Sequence, residues 1–135
     1  MTNTANPQPP AATTTTAALV DRYFAMWNTT DAAARRDVVA ATWTPDATYV
    51  DPLMTAAGHD GLVAMVRAVH EQYPGHEFRL TGAVDAHHDR VRWQWQMTAP
   101  DGRAVLVSGV DFAVVAADGR LAQVTGFIET PGGGS

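Results

Sequence analysis

The hydrophobic period of this chain changes from about 3.6 residues to two near His76, and that change dictates a helical first half followed by a run of strands. Before it, Leu19, Tyr23, Met26 and Trp27 recur at helical spacing, and so do Leu62, Met65, Val66, Val69 and Tyr73. After it, Val91, Trp93, Trp95 and Met97 alternate with Arg92, Gln94, Gln96 and Thr98. A first helix is therefore expected over about 15 to 27, and a second over about 31 to 43, capped by Thr29, Thr30 or Asp31 and ended by Pro45. The second helix should turn Val38, Val39 and Thr42 inward and Arg35 and Arg36 outward.

A short strand over about 47 to 50 runs into Asp51-Pro52, where the proline keeps Asp51 extended, and a loop follows. The third helix opens in Gly58-His-Asp-Gly61 with Asp60 as N-cap and stops at Pro74-Gly75. Strands over about 76 to 86, 90 to 98, 103 to 116 and 120 to 129 follow, and the Asp-Gly centres at 101–102 and 118–119 mark two of their turns as antiparallel hairpins. This order implies an α+β fold in which one strongly curved, mainly antiparallel sheet wraps around three N-terminal helices. Strand 103 to 116 is apolar on both parities, so one face should meet the helices and the other a second subunit, making the chain a homodimer.

Composition excludes several chemistries. All nine basic residues are arginines, they are scattered, and the net charge is −5, which argues against a nucleic-acid partner. Without Cys or Lys there is no thiolate nucleophile, disulfide or Schiff base. No apolar run is long enough to span a membrane and no signal-peptide pattern opens the chain, so a cytoplasmic protein is the default expectation. Residues 1–13 are too polar and Pro-rich to bury anything and are expected to be a disordered leader, 14–130 a single domain, and 131–135 a flexible tail.

Two aspartates stand where an apolar strand ordinarily excludes them. Asp51 ends Ala-Thr-Tyr-Val-Asp-Pro, and Asp111 interrupts the run from Val105 to Val115. A carboxylate in such a strand must be paired, kept protonated, or set beside a cavity, because an unpaired buried charge costs several kcal/mol.

The order of elements, the Asp46-Ala-Thr-Tyr-Val-Asp-Pro52 segment, Gly58 at the start of the third helix, and Val110-Asp-Phe with Asp118-Gly-Arg-Leu-Ala-Gln-Val124 resemble the nuclear transport factor 2-like superfamily over about residues 15 to 130. Within it the chain is most similar to the SnoaL-like and ketosteroid-isomerase-like groups. The resemblance implies a conical α+β barrel with a deep pocket between sheet and helices. It also implies roles: Asp51 falls on the general base, Tyr23 on the phenolic oxyanion donor, and Asp111 on the protonated carboxylic acid that is the second donor. Such a trio supports proton abstraction beside a carbonyl on a small hydrophobic substrate, with no metal or other cofactor. Trp27, Trp43, His59, Met65, Trp93, Trp95 and Phe127 are the expected substrate-binding wall. Where ketosteroid isomerases carry a further tyrosine on the third helix, Val66 stands here.

Each residue also has a plainer reading. Asp51 could accept backbone N–H groups in the Asp-Pro turn, Asp111 could pair with Arg92 across the sheet, Tyr23 could be a core residue, and His59 could be a polar cap. His87 and His88 are adjacent on a strand and so make a poor chelating pair. A cofactor-independent isomerase or cyclase, a ligand-binding module, and a dimeric scaffold all fit this pattern.

Overall fold

A computed structural model describes residues 14–129; the leader and the tail expected from the sequence lie outside them. The order is α1 (Thr14–Asn28), α2 (Ala32–Thr42), β1 (Trp43–Val50), β2 (Thr55–Ala57), α3 (Gly58–Gln72), β3 (Glu77–His87), β4 (Arg90–Thr98), β5 (Val105–Val115) and β6 (Leu121–Glu129). The strands form one six-stranded sheet in the order β2-β1-β6-β5-β4-β3. All neighbours are antiparallel except β1 and β6, which run parallel. The α+β fold with a curved, mainly antiparallel sheet around three N-terminal helices is thus the fold observed.

Curvature follows from interruptions in the ladders. Register slips lie between Thr81 and Asp85 in the β3–β4 pairing and between Trp43 and Thr48 in the β1–β6 pairing. Each bulge bends and twists its strand. Gly82 sits inside the first of these slips with φ +73°, a left-handed conformation that a β-branched strand residue would resist. The second slip accommodates Pro45, which has no N–H to give a ladder.

The core fills the hollow of the bent sheet. Leu19, Tyr23, Met26 and Trp27 of α1, Val39 of α2, and Leu62, Val66 and Val69 of α3 meet Trp43, Ala47, Val91, Trp93, Leu121 and Val124 of the strands. α1 packs on β3, and α3 packs on β1 and β2.

Four local expectations are corrected. The second helix ends at Thr42, so Trp43 and Pro45 belong to β1, which starts earlier than its apolar alternation suggested. β2 pairs with β1 where a loop was expected. Asp60 lies inside the first turn of α3, bonded to Arg36 at 2.8 Å, while the N-cap is Ala57 with no side-chain bond. Arg35, expected outside, is only 4% exposed. Its guanidinium donates to the carbonyls of Thr29 and Thr30, in the connection from α1 to α2, and to His70 Nδ1, so a buried cation ties that connection to α3. Asp31 does cap α2, accepting from the Ala34 N–H at 2.8 Å.

Candidate active site

Between the helices and the concave face of the sheet lies a cavity of about 70 Å³. Its walls are apolar and largely aromatic. Trp27 stacks on Phe78 with ring centroids 4.9 Å apart, and Phe78 leads on to Trp95 at 6.0 Å. One end is polar, and there Tyr23, Tyr49, Asp51 and Asp111 come together. No arginine or histidine lines it among the described residues.

Asp111 faces inward because β5 alternates around it: Gly109, Asp111 and Ala113 point to the helices while Phe112 points out. It is 2% exposed. Tyr23 Oη donates to Oδ2 at 2.7 Å, and Trp95 Nε1 donates to Oδ1 at 3.2 Å. Burial raises the carboxyl to about 7, outweighing these two bonds, which favour the charged form; the nearby charge of Asp51 pushes the same way as burial. The Trp93 indole N–H also lies beside this carboxyl, yet it has no partner in hydrogen-bonding geometry, so two donors hold Asp111 rather than three. Tyr23 is pushed far up by burial, then by the charge of Asp111, which keeps it a neutral donor. Arg92, the alternative partner for Asp111, points to the outer face and pairs with Asp85 at 2.7 Å.

Asp51 closes β1. Its Oδ1 accepts from the backbone N–H of Leu53 at 2.8 Å and of Met54 at 3.0 Å, while its own N–H donates to Met54 O. The turn-holding reading of Asp51 is thus correct for Oδ1, and the second oxygen is held from another side. That oxygen accepts from Tyr49 Oη at 2.7 Å. Tyr49 was not expected here, though its signal was legible: residues two apart on a strand share a face, so Tyr49 had to accompany Asp51. Burial raises the Tyr49 phenol strongly, followed by the charge of Asp111 and the bond to Asp51.

Glycines make the room. A Cβ on Gly126 would stand 2.8 Å from Asp111 Oδ1, 3.2 Å from Asp51 Cβ and 3.4 Å from Tyr49 Oη, so both acids and the phenol surround one point. A Cβ on Gly109 would stand 2.5 Å from Trp95 Cζ2, which is why the Trp95 indole can lie across β5 and reach Asp111.

The expected wall divides. Trp27 and Trp95 line the cavity. Trp43 and Trp93 are core residues away from its surface, the Trp43 indole directed at Met26 Sδ. Met65 is buried beside a separate groove between α3 and the β1–β2 pair. His59 turns to the carbonyl of Trp43 at 2.8 Å and ties the start of α3 to the start of β1. Phe127 is 52% exposed on the outer face, because its neighbour Gly126 faces inward. Phe78, Met97 and Val107 complete the wall instead. Val66 is buried in the core at its place on α3. Among the described residues, no cluster of three or more His, Asp or Glu could hold a metal ion, and no helix is long and apolar enough to cross a membrane.

Residues 20–124 match the SnoaL-like domain family. A solved structure of a candidate isomerase of that family from Agrobacterium tumefaciens is 34% identical, with a TM-score of 0.83 over 87% of this chain and 100% of that one. A candidate SnoaL-like polyketide cyclase from Jannaschia sp. has the same fold at 22% identity, with a TM-score of 0.71 over 93% of this chain and 92% of that one. A nuclear transport factor 2-like protein of unknown function from Mesorhizobium loti follows at 20% identity and a TM-score of 0.66, covering 91% of this chain and 98% of that one. No curated protein matches the sequence. With most of its length matched by the family and a one-third-identical relative of the same fold, the chain belongs to the SnoaL-like family.

Proposed function

We propose that the protein catalyses a cofactor-independent proton transfer, of isomerase or cyclase type, on a small hydrophobic carbonyl compound. The observation that carries this reading is the pair of inward carboxyls in unlike environments at one end of an apolar cavity: Asp51 holds three donated hydrogen bonds, and Asp111 is buried and raised to about 7. Two acids whose surroundings differ in this way divide into a base and an acid. The relatives described as a candidate isomerase and a candidate cyclase are consistent with it.

A carboxylate offers about four acceptor positions, so one on Asp51 is left for a substrate proton. In the proposed step a C–H bond next to the carbonyl breaks, its proton joins Asp51, and the electron pair moves to the carbonyl oxygen. Protonated Asp111, and Tyr23 once its single O–H turns from Asp111 to the substrate, donate to that oxygen as its charge develops, which stabilises the transition state more than the bound substrate. Return of the proton to another carbon completes an isomerisation; attack by the enolate carbon on a second carbonyl, whose oxygen then takes the proton held by Asp51, completes a cyclisation. Loss of either donor is expected to lower kcat by roughly 10²–10³-fold.

The decisive experiment is a titration of wild type and Asp51→Asn with 4-nitrophenol, whose phenolic oxygen imitates the enolate. Tighter binding to the variant is expected, because removing the Asp51 charge relieves its repulsion of the phenolate. Absence of binding to both proteins rejects the mechanism. Binding that is equal in the two, with no isomerisation of a small β,γ-unsaturated ketone, leaves a ligand-binding module. We further propose that the protein is a homodimer joined through the outer face of its sheet.

A further inference from the structure

The Tyr49–Asp51 bond has no counterpart in the trio implied by the family resemblance, and its geometry gives it a task. Asp51 occupies the last position before a proline-led turn, an arrangement that fixes its backbone but leaves two side-chain torsions to be set. Two backbone N–H groups hold Oδ1 on the turn side. Among the described residues only Tyr49, at 2.7 Å, holds Oδ2. The phenol is itself fixed: Tyr49 is 4% exposed, its ring meets Trp27 edge to face at 5.9 Å, and its strand position is set by pairing with Ala56 and Val124. Tyr49 Oη also stands on the Asp111 side of Asp51, since both approach the same point above Gly126.

We propose that Tyr49 is a positioning residue that aims the Asp51 carboxylate at the substrate, from a place in β1 two residues before the acid it holds. This inference rests on the role of Asp51 as base. Its logic is that of preorganisation: a base fixed by three donors reaches its target without reorienting, and a base fixed by two does not.

The test is Tyr49→Phe, which keeps the ring and its contact with Trp27. In the isomerisation of cyclohex-3-enone, kcat is expected to fall about tenfold with KM within twofold of wild type, as loss of one hydrogen bond used mainly in the transition state requires. An unchanged kcat, or a change in KM alone, would overturn the proposal. A crystal structure of the variant reads the orientation of the Asp51 carboxylate without turnover. A carboxylate turned from its wild-type position in a protein that isomerises nothing would support Tyr49 while removing the proposed reaction; an unmoved one removes Tyr49 whatever the activity.

Discussion

At Asp111 two opposing effects can be weighed. Burial disfavours the charge, while hydrogen bonds from Tyr23 and Trp95 favour it, and the balance leaves the carboxyl at about 7 against an ordinary 3.8. Between those values the folded protein keeps a proton that the unfolded chain has released, so raising the pH favours unfolding. The extra stability is complete below about pH 4 and lost as pH passes through about 7; three pH units correspond to about 4 kcal/mol as an upper figure. Urea unfolding at intervals from pH 4 to 8 should therefore show wild type losing stability relative to Asp111→Asn. Parallel curves would mean that Asp111 does not titrate there. In the proposed reaction the same proton matters: kcat/KM should decline as pH rises through about 7, because ionised Asp111 has no O–H to donate. Gly126→Ala tests the crowding directly, since its methyl would lie 2.8 Å from Asp111 Oδ1, closer than real Cβ contacts allow. Displacing that oxygen should cost about 1–3 kcal/mol in stability and weaken 4-nitrophenol binding at least tenfold. Asp51 and Asp111 could be found in the sequence because an acid in an apolar strand is anomalous; Tyr23, on an ordinary helix stripe, was singled out only by the family resemblance. Tyr49 could not be found so easily, because a tyrosine in a strand is ordinary, and its role follows only from its parity with Asp51. Phe127 was misassigned by the same parity: its face is fixed by its neighbour Gly126.

Among the elements, those with a strong period were legible and those without one were not. β4 and its hairpin partners are written in the alternation from Val91 to Thr98 and in the Asp-Gly turns, whose aspartates accept from the N–H groups of Arg103 and Arg120. β2 is three small residues, Thr55-Ala56-Ala57, too short to alternate, and it exists because β1 offers it an edge. The early start of β1 was hidden because Trp43 continues the helical stripe of α2 and is apolar enough for either state. Arg35 was misread for a similar reason: a charge on a helix is usually solvated, and here the carbonyls of Thr29 and Thr30 beyond the end of α1, with His70 Nδ1, make its burial tolerable. Arg35→Met should leave those carbonyls unpaired and lower stability by about 2–3 kcal/mol, measured by chemical denaturation. Because Thr29, Thr30 and His70 do not line the cavity, 4-nitrophenol binding should be unchanged; a variant that lost binding without losing stability would connect this helix junction to the site.

For the whole molecule, the asymmetry of the sheet is the unsolved part of the energy balance. Its concave face is covered by helices, yet on the convex face Phe112 is 44% and Phe127 52% exposed, their rings edge to face at 5.9 Å. Half-buried Val110 and Val114 share the outward parity of β5, and Arg92, Gln94 and Gln96 of β4 rim them. An apolar centre within a polar rim is the anatomy of a protein interface, and two copies of one face meet across a two-fold axis without any further surface. Sedimentation equilibrium should accordingly give about twice the 14.4 kDa chain mass. Phe127→Arg would bring two like charges to the centre of that contact and should weaken association at least tenfold. The cavity opens on the other side of the sheet, so the monomeric variant should still bind 4-nitrophenol. If it does not, the dimer supports the site through β6, where Gly126 and Phe127 are adjacent; if wild type sediments as a monomer, the convex face is not closed by a second copy and the two-fold arrangement fails.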